Sequence, residues 1–119
     1  MNLHNNQLAL IYAHRLCGKP WRERLLLGWQ LVRFRNQLSH SVFRFRYIKK
    51  DATIRIAYGT LKWDLIPAEH RPKGLIVRNE SFTTIAYFDL VRNEWRSFSI
   101  TMLIFESIRP CHAVWVADE

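Results

Sequence analysis

The chain has 119 residues, 49% apolar and 24% charged, and carries 18 Lys and Arg against 10 Asp and Glu, a formal charge of +8. That balance excludes an intrinsically disordered chain, and the length suits a single domain that buries roughly 65% of its unfolded surface. No run of about 18 apolar residues is present to cross a membrane as a helix, and the first residues lack the pattern of a signal peptide, so a cytoplasmic location is expected.

Leu8, Ile11, Tyr12 and Leu16 recur at three- and four-residue steps, which predicts an amphipathic helix over about 5–17. Gly18 and Pro20 end it, because glycine suits a helix C-terminus and proline cannot continue one. Trp21, Leu25, Trp29 and Val32 follow at steps of four, four and three, predicting a second helix over about 21–38 with a tryptophan-bearing packed stripe. Arg22 and Arg33 share one side of this helix, and Arg24 and Arg35 form another row. The pair reads as a helical hairpin or a helix-turn-helix.

From Val42 the period changes to two. Phe43, Phe45 and Tyr47 alternate with Arg44 and Arg46, a turn follows over Lys49-Lys50-Asp51-Ala52, and Ile54, Ile56 and Tyr58 alternate with Arg55 and Ala57. The expectation is a β-hairpin with one aromatic and aliphatic face, buried, and one face carrying Arg44, Arg46 and Arg55. Residues 59–74 read as a long connection containing two prolines and two glycines. Further strands are expected at 75–78, 82–90, 95–100 and 102–105, with Pro110 breaking the chain before a last one at 113–116. The fold class is therefore α+β: an N-terminal helical hairpin (1–40), a small antiparallel β-barrel of five to six strands (42–105) and a C-terminal extension (106–119), all in one domain.

The charge is concentrated. Residues 1–50 hold ten basic side chains and one acid, a net +9, whereas residues 51–119 net −1, and 13 of the 18 basic residues are arginine. Guanidinium groups suit bidentate phosphate contacts, so the asymmetry points to a polyanion, with Arg22, Arg24, Arg33, Arg35, Arg44, Arg46, Lys49, Lys50 and Arg55 as the expected contacts. An acidic protein partner is the alternative that the same charge allows. Set in a major groove, the second helix would read bases, but its tryptophan stripe equally suits a helix packed on a barrel.

Nothing in the sequence organises a catalytic or metal site. The five histidines (4, 14, 40, 70 and 112) are scattered, and Cys17 and Cys111 have neither zinc-ligand spacing nor the number for a disulfide scaffold. Glu69-His70 has no neighbouring nucleophile or orienting group, and no glycine-rich phosphate loop occurs. No enzymatic activity, metal or cofactor is expected.

The run Val42 to Leu61, the Ile66-Pro67 and Arg71-Pro-Lys-Gly74 loop, then Tyr87-Phe-Asp-Leu90 and Trp95-Arg-Ser-Phe98 resemble a family of small bacterial and phage proteins with an Sm-like, SH3-type β-barrel, classed beside the WYL domains. With the Ala13-His14 and Trp21-to-Trp29 lead-in, the resemblance covers roughly residues 8–105. It implies the small barrel and, by analogy with Sm and WYL relatives, contact with nucleic acids or nucleotides; a phage or mobile-element protein that binds a host protein is the alternative. Two features depart from the family pattern: Asp51-Ala52 stands where Asp-Gly is expected, and residues 106–119 extend beyond it.

Overall fold

The computed structural model describes residues 4–71 and 82–111. The expected strands at 75–78 and 113–116 lie outside them. Helices α1 (Asn5–Arg15) and α2 (Trp21–Leu38) precede strands β1 (Val42–Ile48), β2 (Ile54–Thr60), β3 (Thr84–Asp89), β4 (Glu94–Ser99) and β5 (Leu103–Cys111). The strands form one antiparallel sheet in the order β4-β3-β2-β1-β5, and among the described residues β4 and β5 do not pair to close it.

Gly18 ends the first helical segment with φ +85°, a left-handed turn that costs glycine nothing. α2 then returns against α1, and its glycine lets them meet closely: a Cβ on Gly28 would strike the Ala9 carbonyl oxygen and lie 3.3 Å from the Ala13 nitrogen. That contact sets the rotation of α2. Its buried residues are Gly28, Leu31, Val32, Phe34 and Leu38. The expected tryptophan stripe is therefore not the packed face: Trp21 and Trp29 are 42% and 43% exposed. Trp21 packs instead on the His14 ring, 5.0 Å between centroids.

The core lies between the helical hairpin and one face of the sheet. Phe34 of α2 meets Phe43 and Phe45 edge-on at 5.7 and 5.1 Å, and Phe45 meets Tyr87 and Phe98 at 5.1 and 5.5 Å. Such edge-to-face pairs add to simple burial of apolar area. At the helix–sheet junction the buried Thr60 hydroxyl donates to the Ser41 carbonyl at 2.9 Å and accepts from the Lys62 amide at 2.9 Å, while the Leu61 amide donates to the Leu38 carbonyl.

The hairpin corrects one expectation. Ile48 pairs with Ile54, so Arg46 faces Ile56, Arg44 faces Tyr58 and Tyr47 faces Arg55. Directly opposed residues share a face. Ile54, Ile56 and Tyr58 thus stand with Arg44 and Arg46 on the outer face, and Arg55 stands on the aromatic face. The cause is the odd length of the connecting loop, 49–53, closed by the Lys49 amide on the Thr53 carbonyl at 2.8 Å and by Ala52 at φ +73°. An odd loop shifts β2 by one residue relative to a simple two-residue turn, and one residue exchanges the two faces.

β5 is longer than expected. It runs through Pro110, which pairs with Phe43, and so takes in the first part of the expected C-terminal extension. Proline is tolerated because β5 is an edge strand among the described residues. Between Arg44 and Arg46 the β5 register jumps from Arg109 to Ile104. The buried Ser107 fills this bulge: its hydroxyl accepts from the Arg46 amide at 2.8 Å and donates to the Ile104 carbonyl at 2.6 Å. The expected connection after β2 contains two short 3-10 turns, Trp63–Leu65 and Ala68–His70.

Candidate functional site

The nine cations singled out from the sequence fall into three groups on different surfaces. The first is on α2. Arg22 and Arg33 are exposed on the side away from the core, with no acidic residue three or four positions away in either direction. Arg24 and Arg35 are half-buried on the flank toward the core. Arg24 lies over the Trp21 ring, 5.0 Å from its centroid, a cation–π contact that fixes it against its own helix. Because Phe34 presses on the aromatic face of the hairpin, α2 and its cations lie on the opposite side of the sheet from Arg44 and Arg46.

The second group is the outer face of the hairpin. Arg44 stands between Tyr58 on β2 and Arg109 on β5, and Arg46 between Ile56 and Ile104. Around them Ile48, Ile54 and Ile56 are 37%, 55% and 45% exposed, and the β1 and β2 residues of this face include no acid.

The third group surrounds a cleft. β2 pairs with β3 only at Gly59–Asp89 and Thr60–Phe88, so the far half of the hairpin diverges from β3 and β4. The space opened is about 940 Å³. Lys49, Lys50 and Arg55 line it from the hairpin, and Trp95, Arg96 and Phe98 from β4. One carboxylate, Asp51, is also in the wall, turned toward its own loop: the Thr53 amide and hydroxyl donate to it at 3.0 and 2.6 Å, and Lys49 lies 3.9 Å away. The Thr53 hydrogen bonds hold the Asp51 carboxyl below its ordinary range.

The two walls are joined behind the cleft. Register places Arg55 beside Tyr47 and Arg96 beside Tyr87, and the two tyrosine hydroxyls share a hydrogen bond of 2.7 Å. Burial pushes the Tyr87 hydroxyl far above its ordinary pKa, and the bond to Tyr47 adds to the effect, so Tyr87 stays protonated. On β4, Trp95 is half-buried and held rigidly: its indole nitrogen donates to the His70 carbonyl at 2.7 Å and its ring meets Phe88 edge-on at 5.6 Å. Arg96 pairs with Glu94, and its Nε lies 3.7 Å from the buried carboxylate of Asp89.

The structure brings together Lys49, Lys50 and Arg55 at one end of the hairpin, with Arg44 and Arg46 on its outer face, the face turned away from the α2 arginines. Sequence reasoning missed Arg96 and Trp95, which were legible only as part of a strand, and Arg109, hidden by the expected break at Pro110. Among the described residues no cluster of His, Cys, Asp and Glu suited to a metal ion occurs, and no helix is long and apolar enough to cross a membrane.

A family model described as WYL_2, Sm-like SH3 beta-barrel fold, matches residues 31–104, from the second half of α2 into β5. No curated protein and no solved structure matches the chain at a significant level.

Proposed function

The chain belongs to the WYL_2 family of Sm-like SH3 β-barrel fold, and on that premise we propose that it is a non-enzymatic nucleic-acid-binding module whose footprint is the β1–β2 hairpin. The observation that carries the reading is the set of five cations on this one element: Arg44 and Arg46 on its outer face, Lys49 and Lys50 at its end, Arg55 on the cleft side. At about 3.4 Å per strand residue, Arg44 to Lys50 spans roughly 20 Å. That length suits a site of about four nucleotides or more on a single strand, whose flexible backbone follows cations around a narrow ribbon. Trp95, half-buried and held by the His70 carbonyl, also lines the cleft. The α2 arginines drop out of the footprint, because α2 packs on the sheet face opposite Arg44 and Arg46 and lies on a separate element from the hairpin.

Fluorescence anisotropy with a labelled single-stranded oligonucleotide over a salt series tests the reading. Binding that steepens as salt falls and weakens on Lys49→Glu/Lys50→Glu supports it; no binding at about 50 mM salt rejects it.

A second reading draws on the outer face, where Ile48, Ile54 and Ile56 are exposed beside Arg44, Arg46 and Arg109. Apolar residues interleaved with arginine suit an acidic protein partner. Nuclease-resistant capture of one acidic protein, abolished by Ile56→Asp but not by Lys49→Glu/Lys50→Glu, favours that reading over the first.

A further inference from the structure

We infer that the cleft between the hairpin end and β4 contains a phosphate-binding site, with Arg55 and Arg96 as its two anchoring guanidinium groups. The inference deepens the nucleic-acid reading and rests on it only for the source of the phosphate. Both arginines line the cleft, one from each wall. Each has a buried nitrogen with no hydrogen-bond acceptor among the described residues, Nη1 of Arg55 and Nε of Arg96. A buried N–H without an acceptor is destabilising, and more so on a charged group.

The nearby groups do not supply that acceptor. Asp51 is engaged by Thr53, and the Tyr47 and Tyr87 hydroxyls bond each other. Asp89 approaches Arg96 Nε only to 3.7 Å, beyond hydrogen-bond distance, and its Oδ1 is taken by the Val91 and Arg92 amides at 3.0 Å each. The lining holds four cations, Lys49, Lys50, Arg55 and Arg96, and one carboxylate, Asp51; Lys49 lies 3.9 Å from Asp51 and Arg96 pairs with Glu94, which leaves Lys50 and Arg55 with no carboxylate partner among the described residues. A ligand of charge about −2 matches that excess better than a single carboxylate, and the planar forks of two arginines suit phosphate oxygens.

The test is isothermal titration of the full chain with inorganic phosphate, with adenosine monophosphate and with a short single-stranded oligonucleotide bearing or lacking a terminal phosphate, followed by phosphorus NMR. At least one phosphate form is expected to bind saturably, with a shifted phosphorus resonance, and the form bound most tightly identifies the source. Arg55→Gln is expected to weaken that binding by about tenfold or more, the equivalent of one charge-assisted hydrogen bond, and Arg55→Lys by less, because the charge remains while the fork is lost. Arg22→Gln, exposed on α2 and not part of the cleft lining, is expected to leave it unchanged. Arg96→Gln should act like Arg55→Gln where it folds, and the Arg55 variants carry the test if it does not. Binding of no phosphate form, or equal affinity in wild type and Arg55→Gln, overturns the inference. Oligonucleotide binding that needs Lys49 and Lys50 but ignores Arg55 and Arg96 overturns it while leaving the nucleic-acid reading intact. Phosphate binding without any oligonucleotide binding does the reverse.

Discussion

The hydroxyls of Tyr47 and Tyr87 lie 2.7 Å apart, and this one bond ties the hairpin to β3 at the level where their backbones no longer pair. Tyr47→Phe or Tyr87→Phe should each cost about 1–2 kcal/mol, with the double variant costing less than the sum because both remove the same bond. Burial raises the Tyr87 pKa above its ordinary 10.0, so its stabilising contribution is complete below that pH and is lost as pH rises further. Urea denaturation against pH should show wild-type stability falling above about pH 10, with a shallower fall in Tyr87→Phe.

Two glycines are fixed by close approach. A Cβ on Gly59 would sit 2.5 Å from Tyr87 Cδ2 and 3.2 Å from Phe45 Cε1. Gly59→Ala should destabilise by about 1–3 kcal/mol through overpacking. Gly28→Ala should also destabilise, since a collision with the Ala9 backbone outweighs the roughly 1 kcal/mol that alanine gains in a helix. Thermal melts of both variants check this.

Ala52 occupies a left-handed position at φ +73°. Such a conformation costs a non-glycine residue about 1–2 kcal/mol, part of which glycine returns through its greater freedom when unfolded. Ala52→Gly should therefore stabilise the protein by several tenths to about 1 kcal/mol, seen as a higher denaturation midpoint with an unchanged slope.

Asp89 is fully buried and organises the β3–β4 turn. It accepts from the Val91 and Arg92 amides and faces Arg92 and Arg96 at 3.5 and 3.7 Å. Asp89→Ala would leave two amides without their acceptor, a loss of about 2–4 kcal/mol. Asp89→Asn keeps one acceptor oxygen and should lose less, and the ordering of the two variants in chemical denaturation is the check.

Much of this architecture was legible in the sequence. The two helices, the hairpin and the β3–β4 pair follow from periodicity, and Gly18 and Pro20 mark the helical turn where it occurs. The faces were less legible. Trp21 and Trp29 carry the strongest apolar signal on α2, yet Gly28, which adds none, decides the rotation through backbone contact with Ala9. The side on which Arg55 stands depends on the parity of a loop closed around Ala52, which alternation within each strand does not encode. The cleft was invisible for a further reason: it exists because β2 and β3 stop pairing above Gly59, and Arg96 reaches it from 41 residues after Arg55.

The most direct test of the hairpin footprint is the salt dependence of single-stranded oligonucleotide binding, in wild type and in Lys49→Glu/Lys50→Glu. Five phosphate contacts predict a log–log slope of roughly −3.5 and a loss of about 100-fold in affinity between about 50 and 200 mM salt. The double variant should bind at least about tenfold more weakly with a slope shallower by roughly 1.4, while Arg22→Gln/Arg33→Gln should keep wild-type affinity and slope. Equal binding by wild type and the hairpin variant, or a loss confined to the α2 variant, would contradict the account.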